Sequence, residues 1–327
     1  MDVLGTGSTG RDALRLVKEL KPDVITIDIR MPGMDGFEAT RHIMREQPTP
    51  IVIVTSSMKY EDVDLTFQAM QAGALAVVNK PGIADPLTCE KVARTVQNMS
   101  GVRVIRHWGR EHTTPLQTNR GDPGKPRLAD LSRRYTEIEA IGIASSTGGP
   151  SALAAVLRDL PADYPLPILV VQHVSPGFTG GLAEWLGSVA KMQVDVATHG
   201  SKLKVGAITF APDHYHMQVN RRGEIELSHG APYKGLRPSA NYLFESFAQY
   251  YGKKCLGIVL TGMGDDGAEG LELLHKAGGL TIAQEKKSCV VYGMPKEAIE
   301  RNAIDLQMNL EELALFLRQL GNAKKHA

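Results

Sequence analysis

Two adjacent serines, Ser145 and Ser146, stand in the stretch "ASSTGGP", directly after an apolar run with the composition of a strand. A serine on a sharp strand-to-helix turn exposes its hydroxyl beside the unbonded N–H groups of a helix start, which can stabilise an oxyanion developing on an attacked carbonyl. Gly148 and Gly149 let a substrate approach that backbone closely. The stretch is not the hydrolase elbow G-x-S-x-G, because Ala144 stands two residues before Ser146. Phosphate binding is a second use for a glycine loop between strand and helix. Here the Gly-Lys-Ser/Thr ending of a P-loop is missing, and the glycines do not fall in G-x-G-x-x-G spacing.

A nucleophilic serine needs a base and an acid to orient that base. His173 closes the apolar run "LPILVVQH", and Asp265 and Asp266 follow "CLGIVLTGMG" in a glycine-rich turn. Each has a plainer use: a histidine at a strand end bonded to backbone, an aspartate as a turn residue, two adjacent aspartates holding a divalent metal. Three such groups at the carboxyl ends of three parallel strands favour a Ser-His-Asp triad. Its chain order differs from the Ser, Asp, His order of the α/β-hydrolases. Ser146 is the candidate nucleophile. Ser145, one position nearer the strand, is the rival, expected to point into packing or to cap the helix.

"FAPDHYHMQV" gathers Asp213, His214 and His216, and two histidines at i, i+2 on a strand face the same side. No third ligand set with metal spacing accompanies them, so no metal is expected in this half of the chain. Arg237, in "LRPSANYLF" just before a helix, is a candidate contact for a substrate carboxylate. In the first half, Asp28, Thr55 and Lys80 each close or follow a short apolar run. A carboxylate, a hydroxyl and an ammonium at one sheet edge suit an aspartyl-phosphate, the first attacking and the other two holding phosphoryl oxygens.

These residues need a scaffold. "DVITIDI", "PIVIVTS" and "ALAVVNK" have the pattern of buried strands, and "GRDALRLVKEL", "GFEATRHIMREQ" and "YEDVDLTFQAMQAG" carry helical spacing. That alternation predicts a parallel sheet. The second half repeats it with "EAIGIAS", "LPILVVQH" and "CLGIVLTG", while "GAITFAPDHYHMQVNRRGEIELSHG" alternates around "RRG" and predicts an antiparallel hairpin insert. Between them, "WGREHTTPLQTNRGDPGKPRLADLSRRY" is rich in Pro, Gly, Thr and charge. The expected organisation is a first domain over 1–108, a linker over 109–135 and a second domain over 136–327.

Thirty-seven Lys and Arg against 36 Asp and Glu leave a formal charge of +1, which gives no electrostatic footprint for nucleic acid. The three cysteines, Cys89, Cys255 and Cys289, are scattered and odd in number, which argues against a disulfide framework and for a reducing cytoplasm. No apolar run is long enough to span a membrane, so membrane insertion is not expected.

"PDVITIDIRMPGMDGFEAT" with Thr55 and "NKPG" resembles a two-component response-regulator receiver. The resemblance implies a flavodoxin-like domain with Asp28 as phosphoacceptor, Thr55 as switch hydroxyl and Lys80 as phosphate contact. Receivers open with a strand ending in an acidic pair that helps to hold Mg²⁺, followed by a first helix. This chain starts near the second strand, at "MDVLGTGSTGRDAL". The front of the receiver is therefore expected to be missing, through a start placed too late or a true truncation. In a sheet ordered 2-1-3-4-5 that loss removes an interior strand, and Mg²⁺-dependent phosphorylation of Asp28 is expected only of a complete receiver.

"ASSTGGP", "VVQHVSPGFT", "FAPDHYHM", "RPSANYLFES" and "LTGMGDDGAEG" resemble the catalytic domain of the chemotaxis protein-glutamate methylesterases, a family in which a receiver is joined to that domain. The expected fold is thus α/β, with two doubly wound parallel-sheet domains: a truncated receiver and a larger methylesterase domain with a β-hairpin insert. The resemblance implies Ser146 as nucleophile, His173 as base and Asp266 as third member, with Thr147 and Met263 lining the oxyanion site. It also places the hairpin beside the site, which makes His216 a candidate substrate contact. Relatives often carry Asn at the position of Asp265, which favours Asp266. The implied activity is hydrolysis of glutamate methyl esters on methyl-accepting chemoreceptors and deamidation of their glutamines, without a cofactor, in the cytoplasm and under a chemotaxis histidine kinase. Two rivals remain: a signalling module that binds receptor or kinase without turnover, and metal-dependent hydrolysis through Asp265 and Asp266.

Overall fold

The computed structural model describes residues 1–55, 68–69, 72–82, 85–101, 136–174 and 176–325. The chain divides into two units, Met1–Asp122 and Pro123–Ala327. The linker expected over 109–135 and most of the helical stretch "YEDVDLTFQAMQAG" lie outside the described residues.

In the first unit each described helix is closed at its start by an oxygen-bearing side chain, which satisfies donors that a helix N-terminus leaves unbonded. Thr9 and Asp12 form a capping box on α1 (Gly10–Leu20), Asp35 caps α2 (Gly36–Glu46), and Asp85 caps α3 (Pro86–Ser100). Three short strands, β1 (Ile25–Ile27), β2 (Ile51–Thr55) and β3 (Ala76–Asn79), pair in parallel in the order β1-β2-β3. Ile27, Ile51 and Ile53 pack with Val17 of α1 and Phe37 and Ile43 of α2 in a buried core.

The second unit is built on seven parallel strands in the order β12-β11-β10-β4-β5-β7-β6. They are β4 (Ala140–Ser145), β5 (Ile168–Gln172), β6 (Gln193–Val196), β7 (Ala207–Phe210), β10 (Cys255–Val259), β11 (Leu280–Gln284) and β12 (Leu306–Met308). β4, β5, β10 and β11 are buried along their whole length, as continuous apolar runs in a covered parallel sheet require. Helices α4 (Gly149–Leu157), α5 (Thr179–Val189) and α9 (Leu310–Lys325) pack in one group, and α6 (Ala240–Tyr250), α7 (Ala268–Lys276) and α8 (Met294–Glu300) in another. Ala140, Ala144, Val171 and Val259 of the sheet share one core with Phe244 and Phe247 of α6 and Leu271 and Leu274 of α7. After β4 the chain builds the sheet outward through β5, then returns to β10 on the other side of β4. In doubly wound sheets such a reversal is where ligands bind, at the carboxyl ends of the central strands.

The predicted hairpin forms, but over fewer residues than the alternation implied. β8 (His216–Val219) and β9 (Ile225–Ser228) pair antiparallel, with Met217 opposite Leu227. "AITF" instead forms β7, inside the main sheet between β5 and β6. Only Thr209 of that strand is partly exposed, and its single hydroxyl gave a buried strand the look of an alternating one.

The turn that carries the serines from β4 into α4 depends on Gly148, the helix N-cap, which sits at φ +77°. A Cβ there would lie 2.6 Å from Cβ of Val290. Gly148→Ala adds left-handed strain to a steric clash, so we expect a loss of about 1–3 kcal/mol in urea-induced unfolding. A variant as stable as the parent would refute this account of the turn.

Candidate active site

Ser145 and Ser146 differ by one position on β4 and by everything in surroundings. Ser145 is fully buried and donates its hydroxyl to Oε1 of Gln172 at 2.6 Å. Ser146 is the first residue beyond the strand and only partly buried. Its N–H donates to the carbonyl of Thr261 at 3.1 Å, and its carbonyl accepts the Gly149 N–H at 2.8 Å, so its backbone is fixed. Ser145 is thereby spent on packing, and of the two serines Ser146 is the less buried.

His173 follows β5, the neighbour of β4, and its N–H donates to the carbonyl of Ser145 at 3.0 Å. Asp266 follows β10, on the other side of β4. The two side chains meet: Nε2 of His173 lies 2.8 Å from Oδ2 of Asp266, with the side chains 11% and 1% exposed. The two strands that flank β4 therefore bring the predicted base and acid together beside the serine turn.

The carboxylate of Asp266 is held by more than the histidine. Oδ1 accepts the Ser239 hydroxyl at 2.5 Å and the Asn241 N–H at 3.3 Å, and Oδ2 accepts the Ala240 N–H at 2.7 Å. Those amides open α6, so the charge sits where the helix leaves donors unbonded and where its dipole favours an anion. Burial pushes the Asp266 carboxyl up, but the His173 pairing, the Ser239 hydroxyl and the Ala240 amide together hold it below its ordinary value. An aspartate so held stays ionised at neutral pH and fixes which histidine nitrogen carries a proton.

The placement of His216 corrects the expectation of a substrate contact. The residue is fully buried, its ring is stacked on Tyr242, and both nitrogens are bonded within the protein. Nδ1 accepts the N–H of Ser239 at 3.1 Å, and Nε2 lies 3.1 Å from the carbonyl of Ala231. A backbone N–H only donates and a carbonyl only accepts, so the ring is neutral with its proton on Nε2. Burial and the nearby Arg237 push this imidazole below its ordinary value, outweighing the Ala231 hydrogen bond. His216 thus holds Ser239, which in turn holds Asp266. Neither Ser239 nor Gln172 was singled out from the sequence. A polar residue closing the otherwise apolar "ILVVQ" was the available signal for the latter.

The remaining candidates lie around this centre. Thr147 is partly buried beside Ser146, and its carbonyl accepts the Thr261 hydroxyl at 3.0 Å. Met263 is 48% exposed in the turn before Asp265. Arg237 turns Nη1 toward the carbonyls of His229 and Gly230, at 3.3 and 3.2 Å. Asp265 is ion-paired with Lys234. The two adjacent aspartates therefore face different partners and are not presented as a pair. In the first unit, Nζ of Lys80 lies 2.9 Å from Oδ2 of Asp28, and the Lys80 N–H donates to the carbonyl of the buried Thr55 at 2.7 Å. The three groups thus share the carboxyl edge of the small sheet. Among the described residues no three His, Cys, Asp or Glu side chains gather as a metal set. Among the same residues no helix is long and apolar enough to cross a membrane.

Comparison with known proteins agrees with both units. Residues 141–317 match the CheB methylesterase family, and residues 1–90 match the response regulator receiver domain. The protein-glutamate methylesterase/protein-glutamine glutaminase 1 of Syntrophus aciditrophicus is 43% identical over 98% of this chain and 91% of its own length. The protein-glutamate methylesterase/protein-glutamine glutaminase of Nitrosospira multiformis is 42% identical over 97% of this chain and 89% of its own. Among solved structures, the CheB methylesterase catalytic domain of Thermotoga maritima is similar at a TM-score of 0.54 and 35% identity, over 56% of this chain and 98% of that one.

A histidine held below its unfolded value keeps its stabilising contribution above that value, 6.5, and loses it as pH falls through the folded one. The thermal midpoint of the chain is expected to fall on acidification below pH 6.5, and to fall less steeply in His216→Asn. Equal slopes in the two proteins would show that His216 is not the neutral, buried group described.

Proposed function

The chain belongs to the CheB methylesterase family and carries a response regulator receiver domain; on that premise we propose that it is a serine-type hydrolase of glutamate methyl esters, with Ser146, His173 and Asp266 as its catalytic triad. The observation that carries the triad is the buried His173–Asp266 pair at 2.8 Å, set at the end of the strand beside the serine turn. Asp266 holds the proton on Nε2 of His173, which leaves Nδ1 to take the proton of Ser146. The serine oxygen attacks the γ-carbonyl of the ester, and the backbone N–H groups at the start of α4, with Thr147 and Met263 beside them, line the oxyanion site. Histidine returns the proton to the leaving methoxide, methanol departs, and water attacks the acyl-enzyme by the same proton route. Applied to a glutamine side chain the sequence of steps releases ammonia, which accounts for the double name of the relatives.

The substrates in this proposal are the methylated glutamates and the glutamines of methyl-accepting chemoreceptors. The setting is the cytoplasm, and a chemotaxis histidine kinase acts upstream. The domains run over 1–108 and 136–327, joined by 109–135. Asp28, Thr55 and Lys80 are the phosphoacceptor, switch hydroxyl and phosphate contact of the first. Arg237 is a substrate contact through the guanidinium edge that its carbonyl bonds leave over. Catalysis by the second domain needs no metal: Asp265 is engaged by Lys234 and Asp266 by His173 and the start of α6.

Methanol release from methylated chemoreceptor is expected to fall by about 10³-fold or more in Ser146→Ala, and to persist in the parent with chelator present. Asp266→Asn keeps the shape but replaces one of the two acceptor oxygens by an NH₂ donor and removes the charge, and is expected to lower kcat by roughly 10³- to 10⁴-fold. Turnover that survives in Ser146→Ala, or that chelator abolishes in the parent, would reject the serine mechanism.

A further inference from the structure

A hydrogen-bonded pair of base and acid does not by itself place the base against the nucleophile, because His173 and Ser146 stand on different strands. β4 and β5 are in register with Ser145 opposite Gln172, and that is the last pair of the ladder. Beyond it the backbones part, and the two catalytic candidates are the first residues past the parting. Gln172 is 4% exposed, and its amide spans the gap. Oε1 accepts the Ser145 hydroxyl at 2.6 Å; Nε2 donates to the carbonyl of Ser146 at 2.8 Å and to that of His173 at 2.9 Å. One amide group thus grips the backbone of both residues with both of its N–H donors.

The grip on Ser146 has a further consequence. The peptide joining Ser146 to Thr147 is planar and trans, so its N–H points opposite to its carbonyl. With that carbonyl held by Gln172 and by the Gly149 N–H, the Thr147 N–H is aimed away from both, out of the turn, where a backbone donor is open to a developing oxyanion. The neighbouring sequence is shaped to admit the amide. A Cβ on Gly149 would lie 2.0 Å from Oε1 of Gln172, so no residue but glycine fits there with the glutamine in place.

We infer that Gln172 is a positioning residue, one that sets the register between the nucleophile, the base and the Thr147 oxyanion donor without touching substrate. The inference rests on the serine triad proposed above. Losing the amide would leave the serine turn attached to its helix and the histidine attached to Asp266, but would free each to shift against the other. A misplacement of about 1 Å between reacting groups costs on the order of 100-fold in rate.

The test uses the full chain and Gln172→Met, with kcat expressed per site titrated by a fluorophosphonate. Normalising by titrated sites removes any effect of a smaller folded fraction. We expect kcat per site on methylated chemoreceptor to fall about 100-fold with KM changed less than about threefold, the pattern of an interaction needed only in the transition state. Tyr164→Phe is the matched control for stability: it loses a buried hydrogen bond, from the hydroxyl to the carbonyl of Leu317 at 2.8 Å, before the opposite end of β5. Its kcat per site should equal that of the parent. If Gln172→Met yields no titratable protein, Gln172→Glu keeps the shape without the two donors and is expected to lose at least as much. A kcat per titrated site within about threefold of the parent in a Gln172 variant would overturn the inference while leaving the triad intact. Full activity in Ser146→Ala, run alongside, would overturn the triad and the inference with it.

Discussion

The second unit is organised around one buried negative charge. An ionised carboxylate taken out of water costs several kcal/mol unless its lone pairs are met by donors, and removing one partner from a buried pair destabilises by about 3–5 kcal/mol. Asp266 receives four hydrogen bonds, from the His173 ring, the Ser239 hydroxyl and the amides of Ala240 and Asn241. Two of those donors are helix-start amides that the helix itself cannot satisfy. The carboxylate and the start of α6 therefore answer each other's unmet need, and the position of one dictates that of the other. Ser239 in turn lends its N–H to His216 on the hairpin, so the insert is tied to the same point. Three segments far apart in sequence, around residues 216, 239 and 266, are joined by satisfying one charge.

That arrangement explains which features were legible in the sequence. Long apolar runs covered on both faces announce themselves, and a ligand site at strand carboxyl ends is a property of the architecture, so Ser146, His173 and Asp266 could be considered together, and the structure pairs the latter two. The family resemblance then named their roles. The alternation extends the hairpin too far toward its N-terminal side because Thr209 gives β7 one polar position in four, and period-2 patterning in so short a strand cannot separate an edge hairpin from a buried strand. His216 was misassigned for a different reason. A histidine on a strand near a site has the same spacing whether its ring faces substrate or faces Ser239, and only the fold shows both nitrogens occupied. Ser239 and Gln172 carried no signal beyond being polar at the boundary of an element, since their roles consist of contacts with residues 27 positions away.

The choice between the two serines comes down to strand periodicity at one residue. β4 is buried along its whole length, so Ser145, its last residue, must place its hydroxyl in a sealed layer and find an acceptor there. Gln172 is that acceptor, and it is available because the β4–β5 register sets it directly opposite. Ser146 lies one residue further, beyond the last covered position, and the left-handed turn at Gly148 then carries the chain into α4. The burial that seals the Ser145 hydroxyl also anchors the turn in which Ser146 stands, which is why Ser146 is the proposed nucleophile.

A second glutamine repeats the device on the other side of the serine turn. Gln284 closes β11 as Gln172 closes β5; its Oε1 accepts the Thr261 N–H at 2.7 Å and its Nε2 donates to the Ser288 carbonyl at 2.7 Å. Thr261 passes the connection on, through its hydroxyl to the Thr147 carbonyl and through its own carbonyl to the Ser146 N–H. Parallel strands stop sharing ladder bonds at their carboxyl ends, where the chains diverge into loops and backbone groups would otherwise be left unpaired under a covered surface. Side-chain amides and a hydroxyl take over the pairing there, from β11 through β10 and β4 to β5. The proposed reactive groups stand on loops, and the lacing beneath gives those loops the fixed geometry of the sheet, which the proposed proton transfer between the ends of separate strands requires.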